Sequence, residues 1–142
     1  MIFEHATIRW IAALHELWYR LSDGWIGSNV MGAPILLLDT TGRKTGRRYT
    51  TPLLYLNDSD HLIVIASNGG SDRDPAWWRN LRAAPQVEVQ VQNKRKRVRA
   101  EAAQGDERAR LWAKITSRYP VYRSYERRTA RQIPVVVLRT DP

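Results

Sequence analysis

Residues 40–50, TTGRKTGRRYT, concentrate four cations and four threonines around two glycines. The side chains of Arg43, Lys44, Arg47 and Arg48 can donate charge-assisted hydrogen bonds, and glycine lets the backbone turn and expose its N–H groups. Together with the threonine hydroxyls, these groups can hold phosphate or carboxylate oxygens. A solvated basic hairpin without a ligand is the alternative that these residues leave open.

A second stretch, ASNGGSDRDPAWW at 66–78, ends a predicted strand with a serine, an amide and paired glycines, and then opens a helix. A helix start after a glycine loop suits an anion or the polar edge of a ring. The side chains of Trp77 and Trp78 can cover a planar ring. Packing against the sheet is the alternative, and we expect it of at least one of them.

Tyr119, Tyr122 and Tyr125 recur at intervals of three residues. On a helix, this spacing would point the three hydroxyls roughly one way. A tyrosine hydroxyl can hold a substrate or donate a proton. An aromatic strip packed on the sheet is the alternative.

Composition excludes several classes of protein. The 142 residues include no cysteine, which removes disulfides and thiol catalysis, and the three histidines show no metal-ligand spacing. Neither a glycine-rich nucleotide motif nor a run of about 18 apolar residues is present. The net charge of +9 favours an anionic partner. The cluster KRKRVR at 94–99 keeps nucleic acid open, although an edge hairpin explains it better. An enzyme with so few reactive groups would borrow a cofactor.

The elements that must position these residues follow from periodicity. Apolar residues in 4–21 recur at helical spacing and predict an amphipathic helix, so we divide the chain into 1–30 and a domain at 31–142. Asp74 is the predicted N-cap of one helix, with Pro75 its first residue, and Gly105 begins another. The sequence predicts about six strands in a closed or half-closed antiparallel sheet, the first three as a meander. Their expected positions are 34–40, 49–57, 61–67, 86–92, 95–104 and 133–139.

Four stretches resemble, in the same order, the deazaflavin-dependent nitroreductase family of actinobacterial flavin/deazaflavin oxidoreductases. They are LLLDTTGRKTGRRYTTPLLYL, IVIASNGG, DPAWWRNLRAAPQVEVQV and YPVYRSYERRTARQIPVVVL, and the resemblance spans about residues 31–139. It implies an α+β fold, a split β-barrel of six or seven antiparallel strands with flanking helices, related to FMN-binding proteins. It also implies coenzyme F-420, an 8-hydroxy-5-deazaflavin with a phosphodiester and an oligoglutamate tail. FMN is the second choice, and a haem-binding relative is a further alternative.

The resemblance also implies roles for individual residues. The cations of the turn would bind the anionic tail, the strand-end loop would contact the deazaflavin, and the helix would close the ring side. The cofactor set is Arg43, Lys44, Thr45, Arg47, Arg48, Thr50, Pro52, Ala66, Ser67, Asn68, Gly69, Trp77, Trp78 and Asn80. The substrate-facing, catalytic set is Ser67, Tyr119, Tyr122 and Tyr125.

The implied reaction is hydride transfer from the reduced deazaflavin to a quinone, an activated C=C bond or a nitroaromatic. Asn68, Tyr49 and Leu54 depart from the residues common in the family, which favours a quinone over bulky nitroimidazoles. We expect a cytoplasmic monomer or homodimer with no metal. The helix at 4–21 can give peripheral contact with the inner face of the cell membrane.

Overall fold

Seven antiparallel strands form one sheet in the part of the chain that the computed structural model describes, residues 34–140. The predicted helix at 4–21 and the predicted boundary at residue 30 lie outside the described residues. Three α-helices accompany the sheet within this range. The strands are β1 (Ile35–Thr41), β2 (Arg48–Leu54), β3 (Leu56–Asp58), β4 (His61–Ile65), β5 (Gln86–Val91), β6 (Lys94–Ala102) and β7 (Val135–Thr140), and the helices are α1 (Ala76–Ala83), α2 (Gly105–Arg118) and α3 (Val121–Arg127).

The strand order is β2-β1-β5-β6-β7-β4-β3, so β2 and β3 lie at opposite ends of the sheet. Only the buried Tyr55 separates these two strands along the chain. The chain therefore joins both edges of the sheet at one residue, which curls the sheet into a barrel. The predicted α+β split β-barrel is confirmed.

The predicted strand at 49–57 is wrong as a single element. Its first part, β2, pairs with β1, whereas its last part, β3, pairs with β4. The predicted three-stranded meander is therefore divided into two hairpins, β1–β2 and β3–β4, because β2 and β4 are not neighbours in the sheet. The expected edge position of Pro52 is confirmed, since β2 is an end strand and a proline there costs no ladder hydrogen bond.

The barrel encloses one hydrophobic core. Successive side chains of a strand point to opposite faces, and Leu36, Leu38, Val89 and Val98 point inward. Helix α1 adds its apolar side to this core through three buried side chains, those of Trp77, Trp78 and Leu81. Burial of large side chains on one helix fixes its position on the sheet.

The opposite face of the sheet is buried on β4 and β7. Val135 and Val137, which point outward on β7, are at most 1% exposed. Helix α2 contacts β7 and presents the fully buried Leu111 and Ile115. Both faces of β7 are therefore covered, as its continuous apolar sequence predicts.

The start of α1 differs from the prediction. The N-cap is Pro75, not Asp74, because Pro75 has an extended ψ of 152° and the helix begins at Ala76. The carbonyl of Pro75 accepts from the N–H of Trp78 at 3.1 Å. The carboxylate of Asp74 instead accepts hydrogen bonds from Arg131 at 3.0 Å and Arg82 at 3.5 Å, so it is not available for capping.

A charged contact ties α2 to the short strand β3. Asp58 accepts from both terminal nitrogens of Arg110, at 2.9 and 3.0 Å, and from Nζ of Lys114 at 3.2 Å. The hydrogen bond from Arg110 holds the pKa of the Asp58 carboxyl far below its ordinary value, although partial burial opposes this shift. The contact stabilises the fold fully above the unfolded pKa of about 3.9 and is lost as pH falls toward the lower folded pKa.

We predict that Asp58→Asn lowers the free energy of unfolding at pH 7 by about 1 kcal/mol, because solvent screens the exposed Arg110 and Lys114. Urea unfolding would measure the loss. Asp60→Asn, the same change at an exposed neighbour, is the control and should leave stability unchanged. The difference between wild type and Asp58→Asn should shrink below about pH 4, and an equal difference at about pH 3 and pH 7 would contradict the assignment.

Candidate active site

The basic turn between β1 and β2 depends on its two glycines. The N–H of Gly42 donates to the carbonyl of Arg47 at 2.7 Å, and that of Gly46 donates to the carbonyl of Gly42 at 2.8 Å. Gly46 has a left-handed φ of 71°, and a Cβ on Gly42 would lie 2.7 Å from the ring of Tyr49. The sharp turn predicted from these glycines is confirmed.

One buried amide anchors this turn to α1. Oδ1 of Asn80 accepts from the backbone N–H of Arg43 at 3.2 Å and from its Nη1 at 3.0 Å. Nδ2 of Asn80 donates to Oγ1 of Thr40, also buried, at 3.5 Å. The position of the Arg43 guanidinium is therefore set by helix α1 and not by the turn alone.

A cleft of about 340 Å³ lies between this turn, strand β2 and helix α1. Five of the predicted cofactor residues line it: Arg43, Lys44, Thr45, Trp77 and Asn80. The cleft thus has cations at one side and an indole at the other, which suits a ligand that is both anionic and aromatic.

Sequence reasoning missed three further lining residues, Tyr49, Thr51 and Ala76. The alternation of β2 could have found Tyr49 and Thr51, because residues two apart on a strand share a face. Tyr49 is 46% exposed, and its hydroxyl lies 3.3 Å from Oγ1 of Thr45. A second aromatic side chain therefore borders the cleft.

Other predicted cofactor residues lie away from the cleft. Thr50 and Pro52 occupy the opposite face of β2, where Oγ1 of Thr50 donates to Oδ1 of Asp39 at 2.6 Å. The side chains of Arg47 and Arg48 are exposed, and Arg48 borders a separate groove of about 190 Å³. Trp78 is buried in the core, so the expectation that at least one tryptophan anchors the helix is confirmed.

The strand-end loop forms a second group of predicted residues. Ala66 and Ser67 are buried, whereas Asn68 and Gly69 are exposed in a short 3₁₀ turn, Asn68–Gly70. A Cβ on Gly70, which has a φ of 85°, would lie 2.9 Å from the carbonyl oxygen of Tyr125. The loop therefore packs directly against the end of α3.

The three tyrosines form an edge-to-face row beside this loop. The ring centroids of Tyr119 and Tyr122 are 6.5 Å apart, and those of Tyr122 and Tyr125 are 5.9 Å apart. The three tyrosines do not share one helix, because Tyr119 is the C-cap of α2 and precedes α3. Burial raises the pKa of both Tyr119 and Tyr122 above the ordinary phenol value. These hydroxyls therefore stay protonated at neutral pH and can donate.

Residues 34–140 contain no group of three His, Asp or Glu side chains placed to hold a metal ion. Nor does any helix in the same range reach the length and hydropathy needed to cross a membrane.

The fold is the split β-barrel, and its cleft combines fixed positive charge with an aromatic wall. The family model described as F420H(2)-dependent quinone reductase matches residues 11–140. The chain belongs to this family. The predicted recognition, the reductase class and coenzyme F-420 as the family's cofactor are confirmed.

Individual relatives agree with the family assignment. The chain is 45% identical over 129 residues to an F420H(2)-dependent quinone reductase of Mycobacterium tuberculosis, which covers 88% of this chain and 87% of that protein. A solved F420-H2 dependent reductase (FDR-A) matches with a TM-score of 0.68 and 35% identity, over 74% of this chain and 93% of that one. A solved domain-swapped dimer matches with a TM-score of 0.69 and 31% identity, over 93% and 98%.

We predict that Asn80→Ala lowers the free energy of unfolding by about 1–3 kcal/mol, because the buried Thr40 and the Arg43 N–H lose their partner. Hydrogen exchange at the Arg43 amide should accelerate at the same time. Asn57→Ala, at an exposed position on β3, is the matched control and should change stability by less than about 0.5 kcal/mol. Equal losses for the two variants would refute the anchoring role.

Proposed function

We propose that the chain reduces a quinone with electrons from reduced coenzyme F-420 held in the cleft beside the basic turn. One observation carries this proposal. Among residues 34–140, the ion pairs engage Arg82, Arg95, Arg110, Lys114, Arg131 and Arg139, and none engages the four cations of the turn. Carboxylates of the described residues therefore do not neutralise these four cations, and the turn presents a positive field that would attract an anion.

The residues around the cleft fit the two chemical parts of the cofactor. Arg43, Lys44 and Thr45 supply donors for its phosphodiester and glutamate carboxylates, and Trp77 supplies an apolar wall for its ring. The volume of about 340 Å³ is at the low end for ligand pockets. A tail outside the cleft would meet the exposed Arg47 and Arg48.

The cofactor supplies a hydride when it is bound in its reduced form. A quinone that accepts this hydride also needs one proton to become a hydroquinone. We assign proton donation to Ser67 or to one of the tyrosines. Tyr122 is the candidate that we test, because its ring contacts those of both Tyr119 and Tyr125 and so lies at the centre of the tyrosine row.

The local structure favours a quinone over a bulky nitroimidazole. The resemblance to the deazaflavin-dependent nitroreductases implies a substrate-facing tyrosine at the position of Leu54, and the neighbouring Tyr55 is buried in the core. Tyr55 therefore does not restore an exposed phenol at that place. A flat, uncharged quinone needs an apolar pocket with few polar contacts. The name of the family, F420H(2)-dependent quinone reductase, indicates the same acceptor.

Assembly and location remain proposals. A domain-swapped dimer among the structural relatives supports a homodimer, and the monomer is the alternative. A cytoplasmic location and membrane contact through the predicted helix at 4–21 stay predictions.

We predict that Arg43→Ala/Lys44→Ala weakens binding of coenzyme F-420 by at least about 100-fold, because each of the two lost charge-assisted bonds contributes about 1.5–3 kcal/mol. Titration at low ionic strength, with FMN in parallel, would measure the dissociation constants. Lys96→Ala/Arg97→Ala removes the same charge from exposed positions on β6 and is the control. An unchanged affinity in the first variant, or equal losses in both, would refute tail binding by the turn.

The same titrations test the two alternative functions. Tight FMN binding would support an FMN-binding relative, and salt-sensitive binding of DNA without affinity for the deazaflavin would support a nucleic-acid-binding domain.

We predict that Tyr122→Phe lowers kcat for quinone reduction by about 100-fold or more, since a positioned proton donor contributes about 10²–10⁴-fold. The dissociation constant for coenzyme F-420 should change less than kcat, because Tyr122 does not line the cleft. Tyr55→Phe, which removes another buried phenol, is the control. Equal turnover by wild type and Tyr122→Phe on every quinone tested would remove Tyr122 from the site.

A further inference from the structure

Arg131 makes an unusually complete set of hydrogen bonds to the strand-end loop. Its Nε donates to the carbonyl of Ser71 at 2.8 Å, and its Nη1 donates to Oδ1 of Asp74 at 3.0 Å. Its Nη2 donates to two carbonyls, those of Ala66 at 3.2 Å and Ser67 at 2.9 Å. The side chain is only 17% exposed. A single guanidinium thus joins both ends of the loop.

Neighbouring residues strengthen the same contact. Oγ1 of Thr129 donates to Oδ1 of Asp72 at 2.8 Å. The side chain of Arg128 reaches within 3.0 Å of a Cβ placed on Gly70, so only a glycine allows this approach. Residues 128–131, which follow α3, therefore hold the loop against the end of the helix that carries two of the tyrosines.

The geometry of Ser67 depends directly on this contact. Its carbonyl accepts from the N–H of Gly70 at 2.9 Å as well as from Arg131. The loop then passes through three consecutive left-handed residues, Asn68, Gly69 and Gly70. Left-handed backbone at Asn68 is costly and persists only where surrounding contacts fix it. The fixed guanidinium fork of Arg131 supplies several such contacts at once.

We propose that Arg131 is a positioning residue that sets Ser67 and its loop against the tyrosine row, and so shapes the acceptor side of the site. This inference rests on the proposed function. Arg131 does not line the cleft beside the basic turn. Helix α1 would also stay in place without it, because Trp77, Trp78 and Leu81 anchor that helix in the core. Loss of Arg131 should therefore disturb turnover more than cofactor binding.

The test compares Arg131→Ala, Arg131→Lys and Arg82→Ala in the full chain. Arg82 also contacts Asp74, at 3.5 Å, but donates to none of the loop carbonyls, so its variant is the matched control. Hydrogen exchange at the Gly70 and Ser71 amides should accelerate about tenfold or more in Arg131→Ala. Arg131→Lys should lie in between, because one ammonium cannot replace three nitrogens, and Arg82→Ala should match wild type.

The kinetic arm uses reduced coenzyme F-420 and a short-chain naphthoquinone. We expect kcat to fall about 10–100-fold in Arg131→Ala, since small displacements of reacting groups are costly, while the dissociation constant for coenzyme F-420 changes less than about threefold. Millimolar guanidinium ion should restore part of the activity of Arg131→Ala but not that of Tyr122→Phe. If Arg131→Ala does not fold, Arg131→Lys gives the same comparison.

The two arms separate this inference from the proposed function. Wild-type exchange rates at Gly70 and Ser71 in both Arg131 variants would overturn the inference. Equal fractional losses of cofactor affinity and kcat would also overturn it. Failure of the wild-type protein to bind coenzyme F-420 would instead refute the proposed function. Hydrogen exchange at Gly70 and Ser71 would still show whether Arg131 holds the loop.

Discussion

The side-chain oxygen of Asn80, Oδ1, accepts from both the backbone N–H and the guanidinium of Arg43, and this interaction holds the basic turn on helix α1. Four cations within six residues repel one another, so the turn needs an anchor that gives it one shape. A carboxylate at this place would bind Arg43 more strongly but would cancel part of the positive field. A neutral amide accepts two donors and leaves that field intact for an anion.

The barrel makes this anchor rigid. Asn80 lies on the same helix as Trp77, Trp78 and Leu81, whose burial fixes α1 against the inner face of the sheet. Trp77 borders the cleft while it packs in the core, so the wall of the cleft is part of the fold. Strand β2 supplies the remaining side and lies where the chain closes the barrel at Tyr55. A site built on such elements is already in its binding shape before a ligand arrives.

Local rules predicted most of the elements, whereas contacts between distant residues escaped them. Period-two alternation located β5, the turn that follows it located β6 as its hairpin partner, and glycine chemistry located the basic turn. The same alternation separates Thr51 from Thr50, but the resemblance assigned the cofactor role to Thr50, which lies on the other face. Asp74 has the type of an N-cap, yet Arg131, which lies 57 residues further along the chain, engages it. No local sequence pattern predicts that contact. The division between β2 and β3 at Tyr55 also cannot be predicted locally, because it depends on how the whole sheet closes.

The predicted residues form two groups, the basic turn and the tyrosine row, and these groups differ in charge. The difference matches the proposed ligands, an anionic cofactor tail at the turn and an uncharged quinone at the tyrosines. The group at the turn presents cations without carboxylate partners among the described residues, as a polyanionic tail demands. The group at the tyrosine row presents buried phenols that stay neutral, as an uncharged acceptor demands. Arg131 lies next to this second group, but its charge faces Asp74 and three carbonyls. The guanidinium can therefore shape the acceptor side without placing an uncompensated charge there, which would cost more than its hydrogen bonds contribute.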